Sequence, residues 1–180
     1  MTPKKQQVIY DAFPDLFRRG VDKSGPMQYG LCVGDGWFRL IYDLAEAITE
    51  ECKMLGLEPG KPGFPVAVQV KEKFGELRFY IEAIPFPSPH YSDDEIDNLR
   101  RGGEGPGLKK MERYERLKQE LVKLDSVYAL TSEANQLSRT ICERCGSKGE
   151  LRQRGTVVQM RCDKCAAEEE REEEEQQRGR

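Results

Sequence analysis

Two Cys-x-x-Cys pairs near the C-terminal end constrain this chain more than any other feature. Their members are Cys142 with Cys145 and Cys162 with Cys165. The spacing within each pair lets two thiolates converge on one ion, and two pairs fill the tetrahedral shell that zinc prefers. The insert between them contains two short strand-like runs on either side of Gly155. The pattern therefore predicts a zinc ribbon over residues 142–165 that holds one Zn²⁺ per chain.

The predicted ion has a structural role, because four protein ligands leave no open position for a substrate. Two alternatives use the same cysteines without a metal. Redox chemistry at either pair would need a thioredoxin-like strand–helix–strand context, which the surrounding sequence lacks. Disulfides would need an oxidising compartment, but the first residues lack the apolar core of a signal peptide, so we expect a cytoplasmic protein. No apolar run approaches the roughly 18 residues of a membrane span, and no membrane partner is predicted.

The predicted ribbon is basic. Residues 139–165 contain seven Lys or Arg and three Asp or Glu, a net charge of +4. Such a patch could bind phosphates, although it has no aromatic ring for base stacking and its charge also offsets four thiolates. The candidate nucleic-acid contacts are Arg144, Lys148, Arg152, Arg154, Arg161 and Lys164. Residues 166–180 carry a net charge of −4 and are expected to form a solvated helix or to compete with nucleic acid for the ribbon.

Residues 1–84 are predicted to form a small α+β domain. An apolar stripe at steps of three and four residues predicts an amphipathic helix over 36–55, with Asp35 as its N-cap. Its members are Trp37, Leu40, Ile41, Leu44, Ala45, Ile48 and Cys52. Trp37 is interpreted as a core anchor. Alternating residues over 66–70 and 77–81 predict an antiparallel hairpin whose valine face packs on this helix, with a third strand at 29–33.

The second half of the chain is predicted to connect this domain to the ribbon. Residues 85–107 form a Pro- and Gly-rich connector with a short helix over 93–101, and residues 108–140 form a long helix. The apolar positions assigned to one face of that helix include Tyr128, Leu130, Ala134 and Leu137. The predicted fold class is therefore α+β, with a small antiparallel sheet packed on a helix, then a long helix, the zinc ribbon over 141–165 and an acidic tail over 166–180.

Catalytic signals are weak. His90 is the only histidine and lies in a Pro-rich segment, which removes most histidine-dependent mechanisms. A pair with Cys32 lacks local support, and Cys32 is interpreted as a buried apolar residue. The spacing of Gln69 and Lys71 on a strand is similar to that of nuclease strands that end in acid-x-lysine, and Asp35 is a candidate acid. The partner carboxylates, however, are not in the usual hairpin arrangement. No catalytic residue is predicted, and the chain is expected not to be an enzyme.

Four strings together resemble a family of small uncharacterised zinc-ribbon proteins that are encoded by phages, prophages and their bacterial hosts. They are Phe13-Pro-Asp-Leu-Phe17, Gly34-Asp-Gly-Trp37, Val70-Lys-Glu-Lys-Phe-Gly-Glu-Leu-Arg-Phe-Tyr80 and Thr140-Ile-Cys-Glu-Arg-Cys-Gly146. The resemblance covers most of the chain apart from the connector and the acidic tail. It implies a phage or mobile-element context, hence the host cytoplasm, and transfers no catalytic residue.

The resulting expectation is a non-enzymatic accessory protein that binds a macromolecule. In the first hypothesis, the protein contacts nucleic acid or transcription machinery through the basic ribbon. In the second hypothesis, it is a protein-binding inhibitor of a host defence system, which should instead expose an apolar or acidic patch. A nuclease-like enzyme is the third hypothesis.

Overall fold

The computed structural model describes residues 1–84, 101, 109–112 and 124–178, and their fold is α+β, as predicted. The α-helices are α1 Pro3–Ala12, α2 Arg18–Val21, α3 Phe38–Met54, α4 Asp125–Ser138 and α5 Asp163–Arg178. Two antiparallel hairpins pair β1 Pro65–Lys73 with β2 Glu76–Ala83 and β3 Glu150–Arg154 with β4 Val157–Arg161. Two 3-10 helices, Gly25–Tyr29 and Asp35–Trp37, precede α3. The predicted helix over 93–101 and His90 lie outside the described residues.

Helix α3 forms because the apolar residues of its stripe recur at helical spacing and face the core, whereas Met54 in its last turn is exposed. The predicted stripe is confirmed, since every member is buried. The predicted N-cap is wrong, because α3 begins at Phe38 and no side chain caps it. The carboxylate of Asp35 instead accepts hydrogen bonds from the backbone N–H (2.6 Å) and the hydroxyl (3.1 Å) of Thr2, at the start of α1. Asp35 therefore satisfies a donor that the first turn of α1 leaves unpaired.

The first hairpin is confirmed, but its predicted valine face is not. A register shift between Ala67 and Gln69 inserts one extra residue into β1. Such a bulge reverses which residues face the core on either side of it. Ala67 and Val70 are therefore buried, whereas Val68 between them is only half-buried.

The predicted third strand over 29–33 is reduced to one bridging residue. The backbone N–H of Cys32 donates to the carbonyl of Val70 (3.0 Å), and its carbonyl accepts from Glu72 (3.0 Å). Cys32 is exposed, so its interpretation as a buried residue is wrong. Side chains alternate in an extended segment, and its neighbours Leu31 and Val33 take the buried positions.

Helix α4 covers the outer edge of β2. Ser138 accepts a hydrogen bond from the backbone N–H of Leu77 (2.9 Å), and Asn135 donates to its carbonyl (2.6 Å). These two side chains therefore satisfy backbone groups at the edge of β2 that could otherwise pair with a strand of another molecule. The same helix packs against α3, so it joins the hairpin to the helical part of the core.

Only part of the predicted long helix lies in the described residues. Residues 109–112 are helical, residues 113–123 lie outside the description, and α4 begins at Asp125. The predicted apolar face is partly wrong, because Tyr128 and Leu137 are exposed. The buried residues of α4 are Val127, Ala134 and Ser138. No helix in the described part of the chain combines the length and the apolar character that a membrane crossing requires.

Trp37 is fully buried, which confirms its predicted role as a core anchor. Its indole N–H donates to the carbonyl of Ile141 (2.8 Å), which precedes the first cysteine pair. Trp37→Ala should therefore lower the free energy of unfolding by about 3–5 kcal/mol, as for other buried large aromatics. Trp37→Phe keeps most of the packing and should cost about 1–3 kcal/mol for the unpaired carbonyl.

Urea denaturation followed by circular dichroism measures both effects. Equal stability of the wild type and Trp37→Ala would contradict the assignment. Trp37 is also the only tryptophan, so its emission maximum should be blue-shifted in the native protein.

Candidate metal centre

The structure brings all four cysteines of the two pairs to one point. Their sulfur atoms lie within 4.8 Å of one another, and the sulfurs of Cys145 and Cys162 are 3.6 Å apart. Cys142 and Cys165 are buried, whereas Cys145 is exposed. This arrangement could hold one metal ion, with two ligands facing the protein interior and the others facing solvent.

Tight turns aim the first pair at the centre. The backbone N–H of Cys142 donates to the carbonyl of Ser147 (2.7 Å), and Gly146 donates back to the carbonyl of Cys142 (2.8 Å). Gly146 has a φ of 84°, a conformation that costs other residues more than glycine. The loop is therefore closed by its own backbone, and both sulfurs point the same way.

The second pair spans the end of β4 and the start of α5. Cys162 follows the last residue of β4, and Cys165 lies in the first turn of α5. The backbone N–H of Cys165 faces the sulfur of Cys162 at 3.4 Å. Amide donors near a helix N-terminus stabilise a thiolate, which suits these sulfurs as metal ligands.

The thiols differ in acidity before any ion binds. Hydrogen bonds from the side chain and backbone of Ser147 lower the pKa of Cys145 to about 6. Burial raises the pKa of the Cys165 thiol. A divalent cation at the centre would override this difference, because a coordinating thiol is deprotonated by the ion.

A cleft of about 510 Å³ lies outside the sulfurs, and its lining includes Lys148 and Lys164.

The first cysteine loop docks directly on two glycines of the N-terminal region. The backbone N–H of Gly36 donates to the carbonyl of Glu143 (2.7 Å), and that of Gly34 donates to its carboxylate (2.8 Å). A Cβ on Gly36 would lie 2.3 Å from the carbonyl oxygen of Cys142 and 2.4 Å from the backbone nitrogen of Gly146. The two backbones therefore approach at a distance that only glycine allows. No local sequence signal indicates this contact, because Gly34 and Glu143 lie 109 residues apart.

A buried ion-pair network lies beside the cysteines. The guanidinium of Arg161, only 9% exposed, donates to the carboxylates of Glu143 (3.1 Å) and Glu169 (2.8 Å). Each of these residues belongs to a different segment: β4, the first cysteine loop and α5. The network ties α5 to the ribbon, and removing one partner of a buried pair is costly.

The other candidate phosphate contacts are exposed or half-buried, and most pair with α5. Arg144 pairs with Glu172 (2.8 Å) and Arg154 with Glu173 (3.0 Å). Lys164 lies 3.9 Å from Glu168, and Arg152 pairs with Asp163. Lys148 is exposed and pairs with none of the described acidic residues. The predicted acidic tail is thus a helix whose carboxylates neutralise the ribbon.

The candidate catalytic residues have other partners. The carboxylate of Asp35 binds Thr2 and lies 3.5 Å from the ammonium of Lys5. The ammonium of Lys71 lies over the ring of Tyr80, 5.8 Å from its centroid.

Comparison with protein-family models, with curated proteins and with solved structures finds no match. Functional assignment therefore depends on the geometry of the chain itself.

Gly36→Ala tests the contact between the glycines and the first cysteine loop. The added methyl group meets backbone atoms, which cannot rotate away, so the free energy of unfolding should fall by about 1–3 kcal/mol. The affinity for Zn²⁺, measured by competition with a chromogenic chelator, should fall as well.

Gly155→Ala is the matched control. Gly155 has a φ of 59° at the β3–β4 turn, with no atom within 4 Å of an added Cβ. It should lose only about 1 kcal/mol from backbone strain and keep its affinity for zinc. Unchanged stability and zinc affinity in Gly36→Ala would show that the glycines do not hold the loop.

Proposed function

We propose that the four clustered cysteines hold one Zn²⁺ with a structural role. The observation that carries the proposal is the convergence of four sulfurs within 4.8 Å. Zinc suits a tetrahedral set of four thiolates, and such a closed shell has no position for a substrate. Bound zinc would supply the attraction that holds four negative sulfurs together.

The chain's own residues explain what the ion would stabilise. The ligands come from the loop after α4 and from the junction of β4 with α5. The first loop is itself held by Gly34 and Gly36. Zinc would therefore fix the ribbon and α5 against the N-terminal core, because binding energy in such modules is folding energy.

We also propose that the zinc-stabilised protein is a non-enzymatic binding module of the phage accessory type. A closed metal shell, the lack of a predicted catalytic set and the resemblance of four sequence strings to phage-encoded zinc-ribbon proteins support this proposal. Its first partner class is nucleic acid, which the cationic side chains on the ribbon surface would contact through phosphates. These side chains are Arg144, Lys148, Arg152, Arg154 and Lys164. Arg161 is excluded from the contact set because it is buried.

A protein partner is the second candidate, and one observation favours it. Leu151 on β3 is 60% exposed and Val157 on β4 is 52% exposed. Apolar residues exposed on a small rigid hairpin can anchor a protein interface. A host protein inhibited in this way would be bound without nucleic acid.

The zinc proposal predicts one zinc per chain in protein purified without chelators, as measured by elemental analysis. Serine at Cys142, Cys145, Cys162 or Cys165 should release the metal and unfold the ribbon, because apparent zinc-binding energies reach about 10–16 kcal/mol. Cys32→Ser is the control, since Cys32 is exposed and distant in sequence from the cluster, and it should retain the metal. Zinc-free wild-type protein would end the proposal.

The nucleic-acid proposal predicts that α5 competes with phosphates for the ribbon. Glu172→Gln with Glu173→Gln frees Arg154 and removes the nearer partner of Arg144, which keeps its 3.8 Å ion pair with Glu169. The pair between Arg161 and Glu169 stays intact. This double variant should bind DNA or RNA more tightly than the wild type, and most clearly at low salt. Replacing both arginines by Gln should lower the slope of log affinity against log salt by about 2 on duplex DNA.

The matched control is Glu174→Gln with Glu175→Gln, which makes the same charge change without freeing a ribbon arginine. Its affinity should stay close to that of the wild type. If neither the wild type nor the Glu172 and Glu173 variant binds nucleic acid at low salt, the ribbon is not a phosphate-binding surface. The protein-partner candidate then stands.

A further inference from the structure

The outward face of the first hairpin combines cationic and aromatic side chains. Strand alternation places Lys71 and Lys73 on one strand and Arg78 and Tyr80 on the other, and Phe74 stands at the turn. Tyr80 is 46% exposed and Phe74 is 63% exposed. We call these five residues the hairpin outer face. It contains the aromatic rings that the ribbon lacks.

The acidic residues around this face are already paired. Glu76 forms ion pairs with Arg78 and Arg139, each at 2.9 Å. Glu82 pairs with Arg19 at 2.9 Å. The carboxylate of the neighbouring Glu72 accepts the backbone N–H of Gly75 in the turn (2.6 Å).

The two lysines, in contrast, have aromatic partners. The ammonium of Lys71 lies 5.8 Å from the ring centroid of Tyr80, and that of Lys73 lies 5.3 Å from the ring centroid of Phe74. No carboxylate in the described part of the chain forms an ion pair with either lysine. Their charge is therefore available to an anionic partner, whereas most ribbon cations are neutralised by α5.

The backbone at Phe74 supports an external role for its ring. Phe74 has a φ of 57° and Gly75 a φ of 78°, the combination of a two-residue hairpin turn that normally favours Asn-Gly. A bulky residue at positive φ is strained. Since most of this ring is exposed, packing inside the protein does not compensate for the strain. Strain of this kind is typical of residues that serve a binding site.

From these observations we propose that the hairpin outer face binds single-stranded nucleic acid. Unpaired bases would stack on Tyr80 and Phe74, while Lys71 and Lys73 move from the rings to the phosphates. The four residue steps from Tyr80 back to Glu76 span about 14 Å at the rise of a β-strand. Phe74 lies beyond Glu76 at the turn, so the two rings can take different bases. Duplex bases are already stacked, which leaves exposed rings no role there. The proposal uses none of the ribbon cations, although the turn beside Phe74 lies against the ribbon, where an added Cβ on Gly75 would meet the side chain of Leu151.

The test measures fluorescence anisotropy of a labelled oligo-dT strand with zinc-loaded full-length protein at low salt. Tyr80→Ala should weaken binding roughly 5- to 100-fold, the usual effect of losing one stacking ring. Lys71→Gln with Lys73→Gln should lower the salt slope by about 1.4, at about 0.7 per phosphate on single strands.

Phe74→Asn separates binding from folding. Asparagine suits the positive φ, so this variant should be more stable to urea than the wild type and yet bind the strand more weakly. Lys4→Gln with Lys53→Gln is the charge-matched control on α1 and α3, and it should leave binding unchanged.

Two results would overturn the proposal. The first is no binding of the single strand by wild-type protein at low salt. The second is wild-type affinity in both Phe74→Asn and Tyr80→Ala. If instead the Glu172 and Glu173 variant alters duplex binding while these two variants do not alter single-strand binding, the ribbon acts alone. If Phe74→Asn and Tyr80→Ala lose single-strand binding while the Glu172 and Glu173 variant leaves duplex binding unchanged, the hairpin outer face is the binding surface.

Discussion

The convergence of four cysteine sulfurs is the constraint on which the C-terminal part of the protein depends. Four thiolates within 4.8 Å repel one another unless a cation lies between them. The ribbon strands are short and mostly exposed, so they contribute little apolar burial of their own. Met160 is the main exception, since it is buried in the common core. The proposed ion would therefore order the ribbon together with the contact between the first cysteine loop and the N-terminal region.

That contact makes the cysteine cluster part of the whole fold. Gly34 and Gly36 bind the first cysteine loop through backbone groups, and Trp37 binds the residue before it. The Arg161 network then connects the same loop to α5. A change at the metal centre should therefore be transmitted to both the core and the acidic helix. The hairpin outer face lies on the surface of the N-terminal domain and includes none of these contacts, although its turn lies against Leu151 of the ribbon.

Much of this architecture follows from local patterns. The spacing of the cysteine pairs, the stripe of α3 and the alternation of the two hairpins each depend on residues close in sequence. The features that were missed depend on distant partners. The bulge at Val68 leaves no sequence signal, and Asp35 binds Thr2 rather than its own helix. The acidic composition of α5 predicted a charged helix, but only the folded chain pairs Glu172 and Glu173 with ribbon arginines.

X-ray absorption at the zinc edge reports which atoms bind the ion. A closed site at the four cysteines should show four sulfur neighbours at about 2.3 Å and no bound nitrogen or oxygen. The Cys145→Ser protein, if it retains any zinc, should show fewer sulfur neighbours. A wild-type shell of mixed sulfur and oxygen, or one with fewer than four sulfurs, would contradict a closed structural site at these cysteines.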